Sequence, residues 1–237
     1  MAGLAHGAIG FGFPLVSTPL VALITDVRTA VLTTLLPNIV LNVISIVRGG
    51  AWRETLRRHW AVAAYVLLGT IAGTRVLAYA NQDVLRLLLA AMIVVYLLVS
   101  RLRGVDWTRL QRFPRAAPLV FGSLAGFFSG TVNVAVPPLL VYFSSLALPP
   151  LAMTQALNLS FLVGRSTQAL TLAWSGPLGL GMLLLSVPLS VIATLALGGG
   201  FRLQRHIEPA TFARLLRAVL WAMAATLAGQ VGRAYFR

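Results

Sequence analysis

Eight apolar runs divide this chain, most of them close to the 20 or so residues that a helix needs to cross a bilayer. They cover Gly3 to Ile24, Thr29 to Val47, Trp60 to Tyr79, Val84 to Ser100, Ala116 to Leu148, Leu151 to Trp174, Pro177 to Gly200 and Pro209 to Gly232. Only 10% of the 237 residues are charged and 58% are hydrophobic, whereas a soluble domain carries about 25% charged residues. The expected fold class is an all-α integral membrane protein, multi-pass, with about 6–8 transmembrane segments. Membrane lipid is its solvent, and the bacterial inner (plasma) membrane its expected location. No charged stretch precedes the first apolar run, so a cleavable signal peptide is not expected.

Two of the eight runs are interrupted. Gly10, Gly12, Pro14 and Pro19 punctuate the first, and Gly126, Gly130, Pro137 and Pro138 punctuate the fifth. Broken backbone at membrane depth is tolerated only where protein or a watery cavity satisfies its polar groups. A broken or re-entrant helix is therefore expected to open each half. The halves align with a shift of 119 to 120 residues: Pro19 falls on Pro138, and Asn38 on Asn158. Repeats that open on interrupted helices are a transporter signature, with binding expected at the interface of the interrupted elements. The expected organisation is a first membrane repeat at 1–100, a basic cytoplasmic linker at 101–115 and a second membrane repeat at 116–237.

All nineteen basic residues are arginine, giving a formal charge of +14. They gather in short segments between apolar runs, as cytoplasmic loops of membrane proteins do, so no nucleic-acid partner is expected. If basic loops are cytoplasmic, the halves are inverted. That arrangement places inside the loop from Arg48 to His59, the linker, and the segment with Arg202, Arg205, His206 and Glu208. It requires the run Ala116 to Leu148 to enter and leave on one face. Eight simple spans with one violated loop are the alternative.

Arg165 stands near the middle of the run from Leu151 to Trp174. An arginine at the bilayer centre costs roughly 2.5–3.5 kcal/mol on insertion scales and marks function by default. Gln155, Asn158, Arg165 and Gln168 are spaced to share one helical face. A guanidinium in that stripe offers a two-pronged hydrogen-bond donor to a small anion. The structural alternatives are an arginine bonding carbonyls freed at the break, or one snorkelling to the headgroups. Asn38 and Asn42, four residues apart, sit on the matching helix and serve either the same anion or helix–helix bonding. Thr131 and Asn133 at the second break, with Ser17 and Thr18 in the first half, complete the substrate-binding candidates; such residues also stabilise turns.

The five acids, Asp26, Glu54, Asp83, Asp106 and Glu208, all fall in expected loops or near span ends. A pathway for cations or protons ordinarily carries carboxylates, so an anionic substrate fits better. His6 is expected as an interfacial histidine, with a proton-linked role as the alternative; His59 and His206 are expected at the surface. Cysteine and lysine are absent, and there is no HExxH, GxSxG or P-loop pattern. No enzyme, catalytic residue, metal site or cofactor is expected. GxxxG pairs at Gly3/Gly7, Gly69/Gly73 and Gly126/Gly130 suit close helix approach and offer faces for a homo-oligomer.

The segments GFGFPLVSTPLVAL (Gly10 to Leu23), SGTVNVAVPPLLVYF (Ser129 to Phe143) and ALNLSFLVGRSTQ (Ala156 to Gln168) resemble the TauE/SafE family of sulfite exporter-like permeases. The likeness extends over nearly the whole chain. It implies a transporter that exports sulfite, an organosulfonate or a related small anion without hydrolysing ATP. Members often have a glycine-rich loop before the proline of each half; here Val132 to Val136 contains no glycine. The rival readings are a non-transporting membrane scaffold that uses its GxxxG faces, and an anion channel.

Overall fold

The computed structural model describes residues 1–50, 52–102, 105–175, 179–204 and 209–235. Its regular structure is helical, with no strand among these residues. Pro177, Arg205, His206 and Glu208, which figure in the sequence expectations, lie outside them. Each half runs through one order of elements: two short helices separated by a break, then three long helices. In the first half these are α1 (Ala2–Ile9), α2 (Phe13–Ala22), α3 (Val27–Gly49), α4 (Trp52–Tyr79) and α5 (Gln82–Val99). In the second they are α6 (Ala116–Val132), α7 (Val136–Ser145), α8 (Pro150–Ser175), α9 (Leu180–Leu203) and α10 (Pro209–Tyr235).

The breaks follow from local chemistry. Gly10 and Gly12 take φ of 87° and 98°, a left-handed region open to glycine at little cost. Pro14 and Pro137 stand in the first turns of α2 and α7, where a missing N–H costs no helical bond. In the glycine-free second break Asn133 substitutes for glycine, ending α6 with φ 66°; asparagine is among the few L-residues that visit this region readily.

Packing between the halves is reciprocal. The first helix of each half lies on the fourth of the other (α1 on α9, α6 on α4), and the third lies on the fourth of the other (α3 on α9, α8 on α4). The third helices meet each other, α3 on α8, and so do the fifth, α5 on α10. Leu85, Leu89, Ile93 and Leu97 of α5 share a core with Leu220 and Leu227 of α10 and with Leu139 and Phe143 of α7.

Glycine makes the closest of these contacts. A methyl group added at Gly126 or Gly130 would strike the carbonyl oxygens of Val66 or Thr70; one at Gly69 or Gly73 would strike those of Ser123 or Phe127. Gly3 and Gly7 stand likewise against Ala193, Leu197 and Gly200 of α9. All three GxxxG pairs are thus used inside the protomer. At each pair the facing backbone belongs to the same chain.

Among the described residues five helices are long and apolar enough to cross a membrane: α3, α4, α5 and most of α9 and α10. The 26-residue α8 reaches about 39 Å at 1.5 Å per residue, but its polar stripe keeps it out of that set. The long run Ala116 to Leu148 divides into α6 and α7. Gln111 of the linker donates to the Ser145 carbonyl at the end of α7 (2.6 Å). A cavity of about 400 Å³ is lined by Ala117 and Pro118 at the start of α6 and by Ser145 and Leu146 at the end of α7. The α6–α7 pair therefore doubles back. Two further expectations are corrected. Residues 52–59 are not a loop but the first turns of α4, kinked at His59 (φ −118°, ψ 21°). His59 is half-buried, its ring edge-on to Phe143 at 5.5 Å, so it is not a simple surface residue.

Candidate functional site

The two central helices, α3 and α8, carry polar side chains along their length, and those side chains attend to the two breaks. Over its membrane-length window α3 is 56% buried, against 28% to 39% for the other four apolar helices. Its inner face can be polar because lipid never touches it.

At the second break Arg165 reaches from α8 to the end of α6. Nη2 donates to the Ser129 carbonyl at 2.7 Å and to the Ser129 hydroxyl, and Nη1 donates to Gln168 Oε1 at 2.6 Å. Gln168 in turn donates to the Gly130 carbonyl at 2.8 Å. The last carbonyls of a helix have no partner within it. Arg165 and Gln168 supply partners from a neighbouring helix, and the Asn133 amide shares the Ser129 carbonyl at 3.2 Å. Arg165 is 1% exposed, so headgroup snorkelling is not its state. Its hydrogen-bond partners are all neutral, and its Nε has none.

Gly164, one residue earlier, lets two hydroxyls close on this place. A methyl group there would lie 2.7 Å from Ser129 Oγ and 3.4 Å from Thr70 Oγ1. Thr70 is fully buried and its hydroxyl also has no partner. Thr131 faces the same contact between α6 and α4, donating to the Phe127 carbonyl at 2.7 Å and the Gly73 carbonyl at 3.2 Å.

A second cluster adjoins the first through the Ser129–Asn133 turn. Asn133 Nδ2 donates to Thr18 Oγ1 at 2.7 Å and Thr34 Oγ1 at 3.0 Å. Its Oδ1 accepts from Asn38 at 3.4 Å, and Asn38 Oδ1 accepts from Asn42 at 3.0 Å. Asn42 Oδ1 and Ser17 Oγ are buried without partners.

The stripe on α8 does not act as one group. Asn158 serves the first break instead, donating to the Gly10 carbonyl at 2.8 Å. Gln155 ties down the far end of α3 through the Ile46 and Gly50 carbonyls, at 3.0 and 2.7 Å. Asn158 Oδ1 and Gln155 Oε1 have no hydrogen-bond partner. Sequence reasoning missed Thr70, Ser129, Thr34 and Ser45. The repeat held the signal for two of them, because Ser45 falls on Arg165 and Gly10 on Ser129 under the same shift. His6, expected at the interface, is fully buried on α1 and bonded to Ser45 Oγ at 3.0 Å. Two of the remaining cavities cluster near the arginines of α3 and α4, one including Arg58 and the other Arg48.

The model of the sulfite exporter TauE/SafE family matches residues 1–227 of the 237. The chain belongs to this family. No curated protein and no solved structure matches it. Membership of TauE/SafE makes the protein a multi-pass membrane permease, and its polar clusters sit where two broken helices meet two buried ones.

Proposed function

We propose that this TauE/SafE protein is a secondary transporter that exports a small anion, such as sulfite, an organosulfonate or a related carboxylate. Its two halves work as inverted repeats by alternating access. The observation that carries the reading is Arg165, fully buried at a helix break, bonded only to neutral groups and retaining an unpartnered Nε, while Ser129, one of its partners, and the orphan hydroxyl of Thr70 meet at Gly164, one residue before it. A buried guanidinium without a carboxylate is costly unless a negative charge arrives. An oxyanion between Arg165, Ser129 and Thr70 would supply it, with Gln168 holding the guanidinium in place.

Asn133, Asn38, Asn42, Thr18 and Thr131 frame the same break, and Ser17 adds an orphan hydroxyl. Asn158 and Gln155 belong to the opposite approach, from the arginine-bearing cavities that we read as the cytoplasmic vestibule. The reciprocal packing and the doubled-back α6–α7 pair support inversion. Internal use of the GxxxG faces removes the feature on which a scaffold reading rested.

The test is thermal stability of the purified protein against sulfite, taurine, sulfoacetate, thiosulfate and simple carboxylates, repeated with Arg165→Ala. A ligand bound only to the folded state raises stability by about 2.7 kcal/mol at one hundred times its Kd. The expected result is a rise with one anion class that disappears in the variant. A rise of equal size in the variant moves the site away from Arg165.

A further inference from the structure

The first break has its own basic group, His6, and its bonding defines its protonation state. Phe13 N–H, the first of α2, donates to His6 Nδ1 at 3.4 Å. An N–H donor needs a lone pair, so Nδ1 carries no proton, and the ring is neutral with its hydrogen on Nε2. That hydrogen points to Ser45 Oγ on α3, 3.0 Å away. Gly12, at the cap position of α2, supplies no side-chain bond, so the imidazole itself caps the helix. Asn158 of α8 holds the Gly10 carbonyl of the same break through its Nδ2. A cavity of about 420 Å³, lined by Gly7, Gly10, Ser45, Arg48 and Thr154 among others, extends to the serine that His6 contacts.

We infer that His6 is the binding site of a coupling proton drawn from this cavity, which is lined by Gly10 of the break as well as by Ser45; the inference rests on the anion-transport reading. A proton taken from cavity water onto Nδ1 turns an acceptor into a donor facing the Phe13 N–H. The cap is lost and the first break loosens. Closing the break restores the cap and expels the proton.

The surrounding charges tie this step to the anion. Besides His6, α1 carries only the Met1 amino group, and α2 carries no charged residue. The helices packed on α1 bring Arg202 on α9, with Arg214 and Arg217 on α10. Through Ser45 the ring also meets α3, which bears Arg48 at that end, and Asn158 brings α8, which bears Arg165, to the Gly10 carbonyl of the same break. Among the described residues the acids next to these helices include Asp26, at the opposite end of α3 from Ser45, and Glu54 of α4, which shares a cavity with Gly49 of α3 and Gln155 of α8. The described helices packed about the first break thus bring arginines and, beyond the Asp26 cap, no acid of their own, so an imidazolium there adds to a mainly cationic set, which an arriving anion offsets. By linkage, anion and proton then tighten each other by the same factor.

The test uses the full chain in detergent and in proteoliposomes, with His6→Gln, whose amide oxygen can accept the Phe13 N–H without titrating. Hydrogen exchange of a peptide covering Gly12 to Leu15 is followed from about pH 8 to about pH 5, the range in which histidine titrates, and corrected for intrinsic chemistry. The wild type should lose protection about tenfold on acidification and the variant should not; Ser45→Ala, which keeps the imidazole, should retain the response with a shifted midpoint. Equal profiles in wild type and His6→Gln would overturn the proposal. In proteoliposomes, thiosulfate flux, which has no titration of its own in this range, should follow an imposed pH gradient in the wild type and ignore it in His6→Gln. A pH response in exchange without flux of any anion would sink the transport reading and leave the proton site standing. Flux that depends on Arg165 and ignores the pH gradient would do the reverse.

Discussion

At the scale of single residues, Asn133 shows what the second break demands. It combines a left-handed backbone with a carboxamide that holds Thr18, Thr34 and Asn38. Asn133→Gly keeps the backbone and loses the bonds; Asn133→Ala loses both. The strain of the left-handed region is roughly 1–2 kcal/mol for an ordinary residue. The alanine variant should therefore unfold at lower denaturant than the glycine variant by about that difference, with both below wild type. Denaturation of the three proteins side by side checks it, and equal midpoints for the two variants would refute the account. The same residue marks how far the sequence could be read. Arg165, Asn38 and Asn133 stood out as polar residues in apolar runs, and they do gather at or beside a break. Ser129 and Thr70 did not, because serine and threonine are common in membrane helices and only the close approach of α4 to α6 at Gly126, and of α8 to both at Gly164, brings their hydroxyls together. The stripe on α8 was legible as a stripe; its division between two breaks depends on where Gly10 and Ser129 sit in space.

At the scale of elements, capping and close approach decide the outcomes. Asp26 caps α3, accepting from the Thr29 amide at 3.0 Å and the Thr29 hydroxyl at 2.6 Å, and receives Gln82 at 3.0 Å. Burial raises the pKa of this carboxyl, but the bonds from Thr29 and Arg28 outweigh it and hold the value below the ordinary 3.8. A carboxylate with a lowered folded value stabilises fully above its unfolded value, and that contribution is lost as pH falls through the folded one. The wild type should therefore exceed Asp26→Asn in Tm above about pH 4 and converge with it in stronger acid. A gap that persists unchanged into strong acid would show that the charge is irrelevant. On α9, Gly198 faces open space, whereas a methyl group at Gly200 would strike the Leu4 carbonyl and Gly7 of α1. Gly198→Ala should be neutral or stabilising by up to about 1 kcal/mol, and Gly200→Ala destabilising by about 1–3 kcal/mol. Unfolding of the two variants beside wild type decides between this and a uniform glycine effect. Helix ends were legible to within a few residues wherever a cap or a polar turn marked them. The exception is the start of α4, where arginines read as a loop form helical turns because arginine is a good helix former.

At the scale of the whole molecule, the question is which way each half faces. The reciprocal packing of α1 with α9 and α6 with α4 relates the halves without fixing the membrane. Arginine placement does so only through a statistical rule. The two topologies differ at one pair of positions. In the inverted reading, each interrupted run returns to the face it entered, so Thr25, after α2, lies outside, and Pro149, after α7, lies inside. If both interrupted runs simply crossed, these two positions would share one face. Both residues are exposed, and the chain contains no cysteine, so a single introduced thiol reports without background. Thr25→Cys should react with a membrane-impermeant maleimide on intact cells, together with Asn81→Cys and Gly179→Cys, which follow α4 and α8. Pro149→Cys and Arg109→Cys should react only after permeabilisation. Labelling of Thr25→Cys and Pro149→Cys from one side would remove the inversion. Alternating access would then lose the inverted-repeat basis proposed here, in which two halves whose breaks enter from opposite faces rock about a fixed site.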